Sequence, residues 1–321
     1  MAGYNTIRGL RVKYLSADPA NPENGQVWYN STSGKLRLQG ITQAAAWASG
    51  TSLPVNRGLG GGCGTTTAAL QAGGITQSPG ATVSTSFEYD GTNWAAGGAL
   101  PAVRRNNSTF GIQTAAVSVG NLPAATNVDT YNGSSWAAGT AYPAVVMNTG
   151  VAGTSTAGLS WGGNQDPGLL STSFEYGGSW TAGGAIPAAT TQGGCLGTQT
   201  AALGVGGQTP SVVNTCIEYN GSSWAAGGTY PTVVFGAGAS GTQTAGLAFG
   251  GGVPANTTAT NSYDGSSWTA SVSLGTARYM STQGLGATNT AALAVGGQSP
   301  RIAAVEEFTG AYLATETITT S

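Results

Sequence analysis

Histidine is absent from the 321 residues, and Asp, Glu, Lys and Arg together make up only 7% of them. Without imidazole the commonest general base is missing, and with it the Ser-His-Asp arrangement and most zinc and copper sites. The three cysteines, Cys63, Cys195 and Cys216, are an odd number and too far apart for a CxxC pair. They read as small buried hydrophobes in a reducing compartment, not as metal ligands or a disulfide framework. No metal or cofactor is expected. No apolar run approaches the ~20 residues of a membrane span, so no membrane insertion is expected. Met1–Leu15 carries Arg8, Arg11 and Lys13 and no signal-peptide core, which suggests synthesis and assembly in a cytoplasm.

Charge is scarce and unevenly placed. Residues 1–40 hold five bases (Arg8, Arg11, Lys13, Lys35, Arg37) against Asp18 and Glu23, whereas the remainder holds five bases against ten acids. An acidic body argues against a nucleic-acid groove, which needs a clustered basic face. The basic start reads equally as a grip for an acidic partner or as an ordinary solvated segment.

What the chain does have is a repeat of about 44 residues, a period typical of propellers and arrays. Its anchor is a Tyr-Asp/Asn-Gly turn followed by an aromatic ring: Tyr89 to Trp94, Tyr131 to Trp136, Tyr176 to Trp180, Tyr219 to Trp224, Tyr263 to Trp268, and a worn Phe308 to Tyr312. Each period yields four strand-sized pieces. A ring strand such as Trp94–Leu100 ends at a proline seven residues after the Trp (Pro54, Pro101, Pro143, Pro187, Pro231), since proline cannot donate to a ladder. A Gly/Thr-rich segment leads into Thr-Ala-Ala/Gly-Leu/Val, as at Thr67–Leu70 and Thr200–Leu203, and the small residues of the latter suit the innermost strand of a radial array. Paired glycines turn the chain toward a last strand that ends in the tyrosine, and the Asp/Asn-Gly after it is a strong hairpin signal.

This pattern resembles a kelch-type β-propeller blade over about residues 47–320, although it is richer in Ala, Gly and Thr and keeps the Arg after the ring strand only at Arg57, Arg104 and Arg278. The resemblance implies an all-β propeller over 47–321, of six four-stranded blades, with seven as the alternative. There are six Thr-Ala-Leu strands but seven ring strands, so the Trp47 and Tyr312 strands compete to close the last blade. Kelch-type copper oxidases need histidine ligands, which this chain lacks.

Residues 1–46 do not fit the repeat. Gly25–Asn30, a four-residue loop and Lys35–Gln39 read as a hairpin, too small to be stable alone. The stretch from Asn24 to Leu36 resembles a short module found near the start of tailed-bacteriophage tail-fibre and appendage proteins. That resemblance implies a structural virion protein without enzymatic activity. Its N-terminal segment would dock on other virion proteins through Arg8, Arg11, Lys13, Trp28, Lys35 and Arg37. Its propeller would be displayed toward host surface glycan, in several copies that gain by avidity. A head-fibre or capsid decoration role and an intracellular protein-binding propeller stand as alternatives, and a homo-oligomer is expected in the particle.

Within the body, one Trp per blade reads as inter-blade core ahead of a ligand-stacking platform. Arg104 and Arg105, the one basic pair, read as an exposed loop pair able to touch an acidic glycan. Glu88, Asp90, Glu175, Glu218, Asp264, Glu306 and Glu307 recur at turn or edge positions, which favours structural roles over a carboxylate-pair hydrolase.

Overall fold

A computed structural model describes residues 12–23, 25–77, 80–253, 255–279 and 285–318, which fall into two compact units. One comprises Trp47–Thr309, the other Met1–Ala46 with Gly310–Ser321. No helix occurs among the described residues.

The larger unit is built from six four-stranded antiparallel sheets. Sheets 1 to 5 take their strands in order along the chain, with first strands Gly61–Thr65, Ser108–Ile112, Gly150–Thr154, Gly194–Gly197 and Gly238–Thr242. Sheet 6 runs Leu285–Thr288, Ala291–Val295, Val305–Thr309, and then takes Ala46–Gly50 from before sheet 1 as its fourth strand. Each first strand lies against the first strand of the next sheet, and that of sheet 6 returns to Gly61–Thr65. The sheets therefore surround an axis, propeller-like.

The strand nearest that axis is not the expected one. Thr-Ala-Leu forms the second strand of each sheet, and the Gly-rich segment before it lines the hub. Small residues let these strands approach their neighbours round the axis: an added Cβ at Gly61 would meet Thr109 of sheet 2, and one at Gly62 would meet Leu285 of sheet 6. Each first strand carries a glycine at its end or close to it (64, 111, 153, 197, 241 and 286). All six sit at φ between +95° and +139°, where an added Cβ would collide with the carbonyl of the facing alanine, Ala68 in sheet 1 and Ala201 in sheet 4. In the second strands, Leu70, Val117, Leu159, Leu203, Leu247 and Leu293 are fully buried, each contributing roughly 1.5–3 kcal/mol of burial. The ring strands are also shorter than Trp94–Leu100 suggested: strand structure stops at Ala96, and Gly97 and Gly98 carry the chain onto the turn of sheet 2.

Most of the apolar clusters draw on two neighbouring sheets: Phe110, Val117 and Val128 of sheet 2 pack with Val151 and Tyr176 of sheet 3. Polar side chains make the same crossing. Tyr131, Tyr219 and Tyr263 donate to Glu88, Glu175 and Glu218 of the preceding sheet at 2.6, 2.6 and 2.7 Å, and Tyr89 reaches back to Glu307 of sheet 6 at 2.5 Å. Gln113, Gln199 and Gln243, at the tips of the first hairpins, each donate to two backbone carbonyls of the preceding sheet. The tryptophans stack on their own tyrosine, 4.9 Å between centroids for Tyr89 and Trp94, and Trp94, Trp180 and Trp268 donate backward to Thr51, Thr140 and Gly228 carbonyls. They are inter-sheet core.

In the smaller unit, Val27–Asn30 and Lys35–Gln43 pair antiparallel around the turn 31–34. Lys13–Leu15 joins one side in parallel, and Tyr312–Thr317 the other side antiparallel. The competition between the two spare ring strands thus resolves by division: the Trp47 strand completes sheet 6, and the Tyr312 strand completes this separate four-stranded sheet. Two added strands supply what an isolated hairpin lacks.

Candidate binding face

In every sheet of the larger unit, the first and third strands begin, and the second and fourth end, at one end of the ring. Loops 51–60, 97–107, 139–149, 183–193 and 227–237, with the loops between second and third strands, therefore share one face. The opposite end carries the tight hairpin turns.

A collar of backbone bonds shapes this face. Leu59, Asn106, Asn148, Gln192 and Gly236 occupy equivalent positions and all adopt φ between +55° and +60°. Asn106 N–H donates to Leu59 O (2.6 Å), Asn148 to Asn106 (2.9 Å), Gln192 to Asn148 (3.2 Å) and Gly236 to Gln192 (2.7 Å). Left-handed backbone costs a leucine or glutamine on the order of 1 kcal/mol, and it persists where surrounding bonds over-determine it. Here each bond joins one loop to the next around the axis. Toward the hairpin end, away from the collar, the first strands line an open axial cavity of about 300 Å³, with Cys63, Phe110, Val151, Cys195, Leu196 and Ala239 among its walls. Burial raises the Cys63 and Cys195 thiols to about 12, so both are inert neutral groups.

Charge is polarised between the ends. All five bases beyond residue 40 (Arg57, Arg104, Arg105, Arg278, Arg301) lie in the connections of the collar face, together with Asp166, while Asp129 and Glu306 stand near the start of the third strands of sheets 2 and 6. Asp90 and Asp264 sit in the hairpin turns opposite, accepting from the backbone of Asn93 and Ser267, which holds both carboxyls below their usual range.

Three arginines occupy one repeat position, three residues after the loop proline or its equivalent, and none is a surface group. Arg104, expected to be exposed, is 3% exposed and forms an ion pair with Asp129, whose carboxyl burial nonetheless pushes up. Arg278 is 1% exposed; it donates to Glu306 Oε1 (2.5 Å) and to the carbonyls of Gly296 (2.9 Å) and Ala304 (2.8 Å). Arg57, 3% exposed, has Thr85 Oγ1 at 2.9 Å from Nη2 and the Phe87 ring centroid 5.2 Å from its guanidinium carbon. Arg105 is half-buried beside Asn121, which accepts its backbone N–H. Sequence reasoning missed these pairings. The signal was present: in a repeat alignment the copies with Asp129 and Glu306 are also copies with the arginine.

The expected docking residues lie in the smaller unit. Trp28 is fully buried and donates to Asp18 Oδ1 (2.8 Å), so it is core and not a contact surface. Arg37 reaches Thr317 Oγ1 (2.8 Å) and lies 3.9 Å from Asp18. Lys13 and Lys35 are exposed, and Arg8 and Arg11 lie outside the described residues.

No protein-family profile and no curated protein matches the sequence. Among solved structures, YjhT is similar over 83% of this chain and 99% of its own, with a TM-score of 0.65 at 15% identity. At that identity the likeness establishes the fold: this chain is an all-β, propeller-like protein.

Proposed function

We propose that this chain is a non-enzymatic structural protein of a bacteriophage particle, a tail-fibre or collar-type appendage. Its six kelch-type blades are displayed for attachment to the host surface, and the N-terminal segment docks on other virion proteins. The observation that carries the reading is the smaller unit. The hairpin that resembles the phage appendage module is the centre of a compact sheet of its own, and it keeps Lys13 and Lys35 exposed. The reading also needs a contact for an acidic surface polysaccharide: on the collar face the half-buried Arg105 and Arg301 are the bases open to one, and weak sites repeated over many copies bind by avidity.

Mass spectrometry of purified particles tests the assignment. The protein is expected in stoichiometric amounts with the particle, and immunogold labelling is expected on the tail. Recovery only from the soluble fraction of infected cells overturns it, and label on the head replaces the tail reading with a decoration role.

A further inference from the structure

The guanidinium of Arg278 donates to the carbonyls of Thr276 (3.4 Å), Gly296 (2.9 Å) and Ala304 (2.8 Å) and to Glu306. At the same distances from the loop proline or its equivalent, the glycine pair and the aromatic residue of the third strand, sheet 4 has Thr190 for Arg278, Ala188 for Thr276, Gly206 for Gly296, Thr215 for Ala304 and Ile217 for Glu306. The backbone follows suit, with φ of +58° at Gly206 and +63° at Gly296. The place is occupied differently from sheet to sheet. Arginine takes it in sheets 1, 2 and 6, Phe174 against the Tyr142 ring (5.1 Å between centroids) in sheet 3, and Asn261 bonded to Tyr230 Oη (2.8 Å) in sheet 5. In sheet 4 both side chains are short and uncharged, and Ala188, Thr190, Gly206, Thr215 and Ile217 all line a cleft of about 220 Å³.

This cleft is open to solvent. Pro187, Ala188, Thr215 and Thr229 on its walls are exposed, whereas Trp161 and Thr190, which also line it, are buried. No charged side chain is among its lining residues. Thr190 Oγ1 donates to the Ala188 carbonyl at 2.9 Å, so the counterpart of the Thr276 acceptor is satisfied from within. The counterparts of the other two acceptors, on Gly206 and Thr215, have no side-chain donor among the described residues. Carbonyls call for an N–H, and an anion would face their oxygens. A cation would lack its counter-ion, because Ile217 stands where Glu306 does in sheet 6. What the walls admit is a neutral N–H group with an apolar body. An apolar cavity of about 150 Å³ already holds a benzene ring, so one ring and a polar substituent fit.

We propose that the cleft at the seam of sheets 3 and 4 binds a small neutral amide. Its N–H donates to the carbonyls of Gly206 and Thr215, as the Arg278 guanidinium does to Gly296 and Ala304, and its apolar part lies against Trp161 and Ile217. The site shares no lining residue with the axial cavity and does not depend on the viral reading. Amido sugars and free aromatic amides both carry this chemistry.

The test is an NMR titration of the isotope-labelled full chain with benzamide, benzamidinium and benzoate, which share a ring and differ in charge. Benzamide is expected to saturate, with the largest shifts at the amides of Gly207 and Cys216, which follow the two carbonyls. The cation and the anion are expected to bind at least about tenfold more weakly, since neither finds a counter-charge. Methyl N-acetyl-β-D-glucosaminide, with methyl β-D-glucoside as its blank, separates the sources: tighter binding than benzamide identifies an amido sugar, and weaker binding a free aromatic amide. Thr190→Arg with Ile217→Glu rebuilds the sheet 6 pair inside the cleft and is expected to abolish benzamide binding. Ile217→Phe, which copies Phe174 of sheet 3, is expected to abolish it by volume alone, and an unchanged spectrum away from the seam reports that each variant folds. The probe series on the wild type needs no variant. Absence of saturable shifts with benzamide, equal binding of benzamidinium, shifts centred on the axial cavity, or undiminished binding by Ile217→Phe overturns the site.

Discussion

Tyr219 Oη donates to Glu175 Oε1 at 2.6 Å, joining sheet 4 to sheet 3. The same bond recurs at three other seams. It is missing where the acceptor position holds Thr130, leaving Tyr176 without it, and where it holds Ser262, opposite a phenylalanine, Phe308. Thr130→Glu is therefore expected to stabilise the fold by about 1 kcal/mol, the usual net value of such a bond. The gain should vanish in a Tyr176→Phe background, a coupling that a double-mutant cycle in urea measures directly.

Removing one member of a buried ion pair leaves a charge without a partner. Asp129→Asn is expected to cost about 3–5 kcal/mol, since Asp129 is the acid that pairs with Arg104 among the described residues. The apolar double replacement, Asp129→Leu with Arg104→Met, is expected to cost clearly less, because it leaves no charge behind. Urea midpoints of the single and double variants decide, and equal losses would show that the pair itself holds the loop.

Three thiols should be silent in the native protein. Burial raises Cys63 and Cys195 to about 12 and Cys216 to about 11. At pH 8 an aromatic disulfide reagent is expected to titrate no thiol in native buffer and all three in concentrated urea. A fast native reaction would contradict the packing around the hub at Cys63 or Cys195, and that between sheets 4 and 5 at Cys216.

Alkaline pH should unfold the ring. Burial raises Tyr219, Tyr230 and Tyr263 to about 12, against roughly 10 in an unfolded chain. Below about pH 10 these hydroxyls are protonated in both states and stability is intact. Between about 10 and 12 the unfolded chain releases protons that the native state retains, so stability falls as pH rises. Ultraviolet absorbance of the phenolates is expected to show these groups ionising together with the loss of structure, and independent titration near the ordinary tyrosine value would refute it.

The architecture was legible because its determinants are local and repeat in phase: turn residues after each tyrosine, a buried Leu or Val at one position, and a glycine before each first hairpin. The order of strands from the axis outward was not. Both the Gly-rich and the Thr-Ala-Leu segments carry small residues, and contacts between first strands of different sheets, such as Gly61 against Thr109 and Gly62 against Leu285, decide which sits innermost. The fate of the two spare aromatic strands was equally hidden, because Trp47 and Tyr312 present the same local pattern and long-range pairing alone separates them. At the collar face, Arg104 and Arg105 read as a surface pair by adjacency. The repeat register, which sets Arg104 opposite Asp129 and Arg57 opposite Phe87, carried the better information.

Sheet 6 draws its fourth strand, Ala46–Gly50, from ahead of the first copy. During synthesis that strand leaves the ribosome about 250 residues before its partner Val305–Thr309. At roughly 5–20 residues per second it waits on the order of 10–50 s with its backbone unpaired. The nascent chain thus carries an adhesive edge until Val305–Thr309 emerges, and crowding of polysomes during that interval, not any weakness of the finished wheel, sets the risk of one copy capturing another's strand.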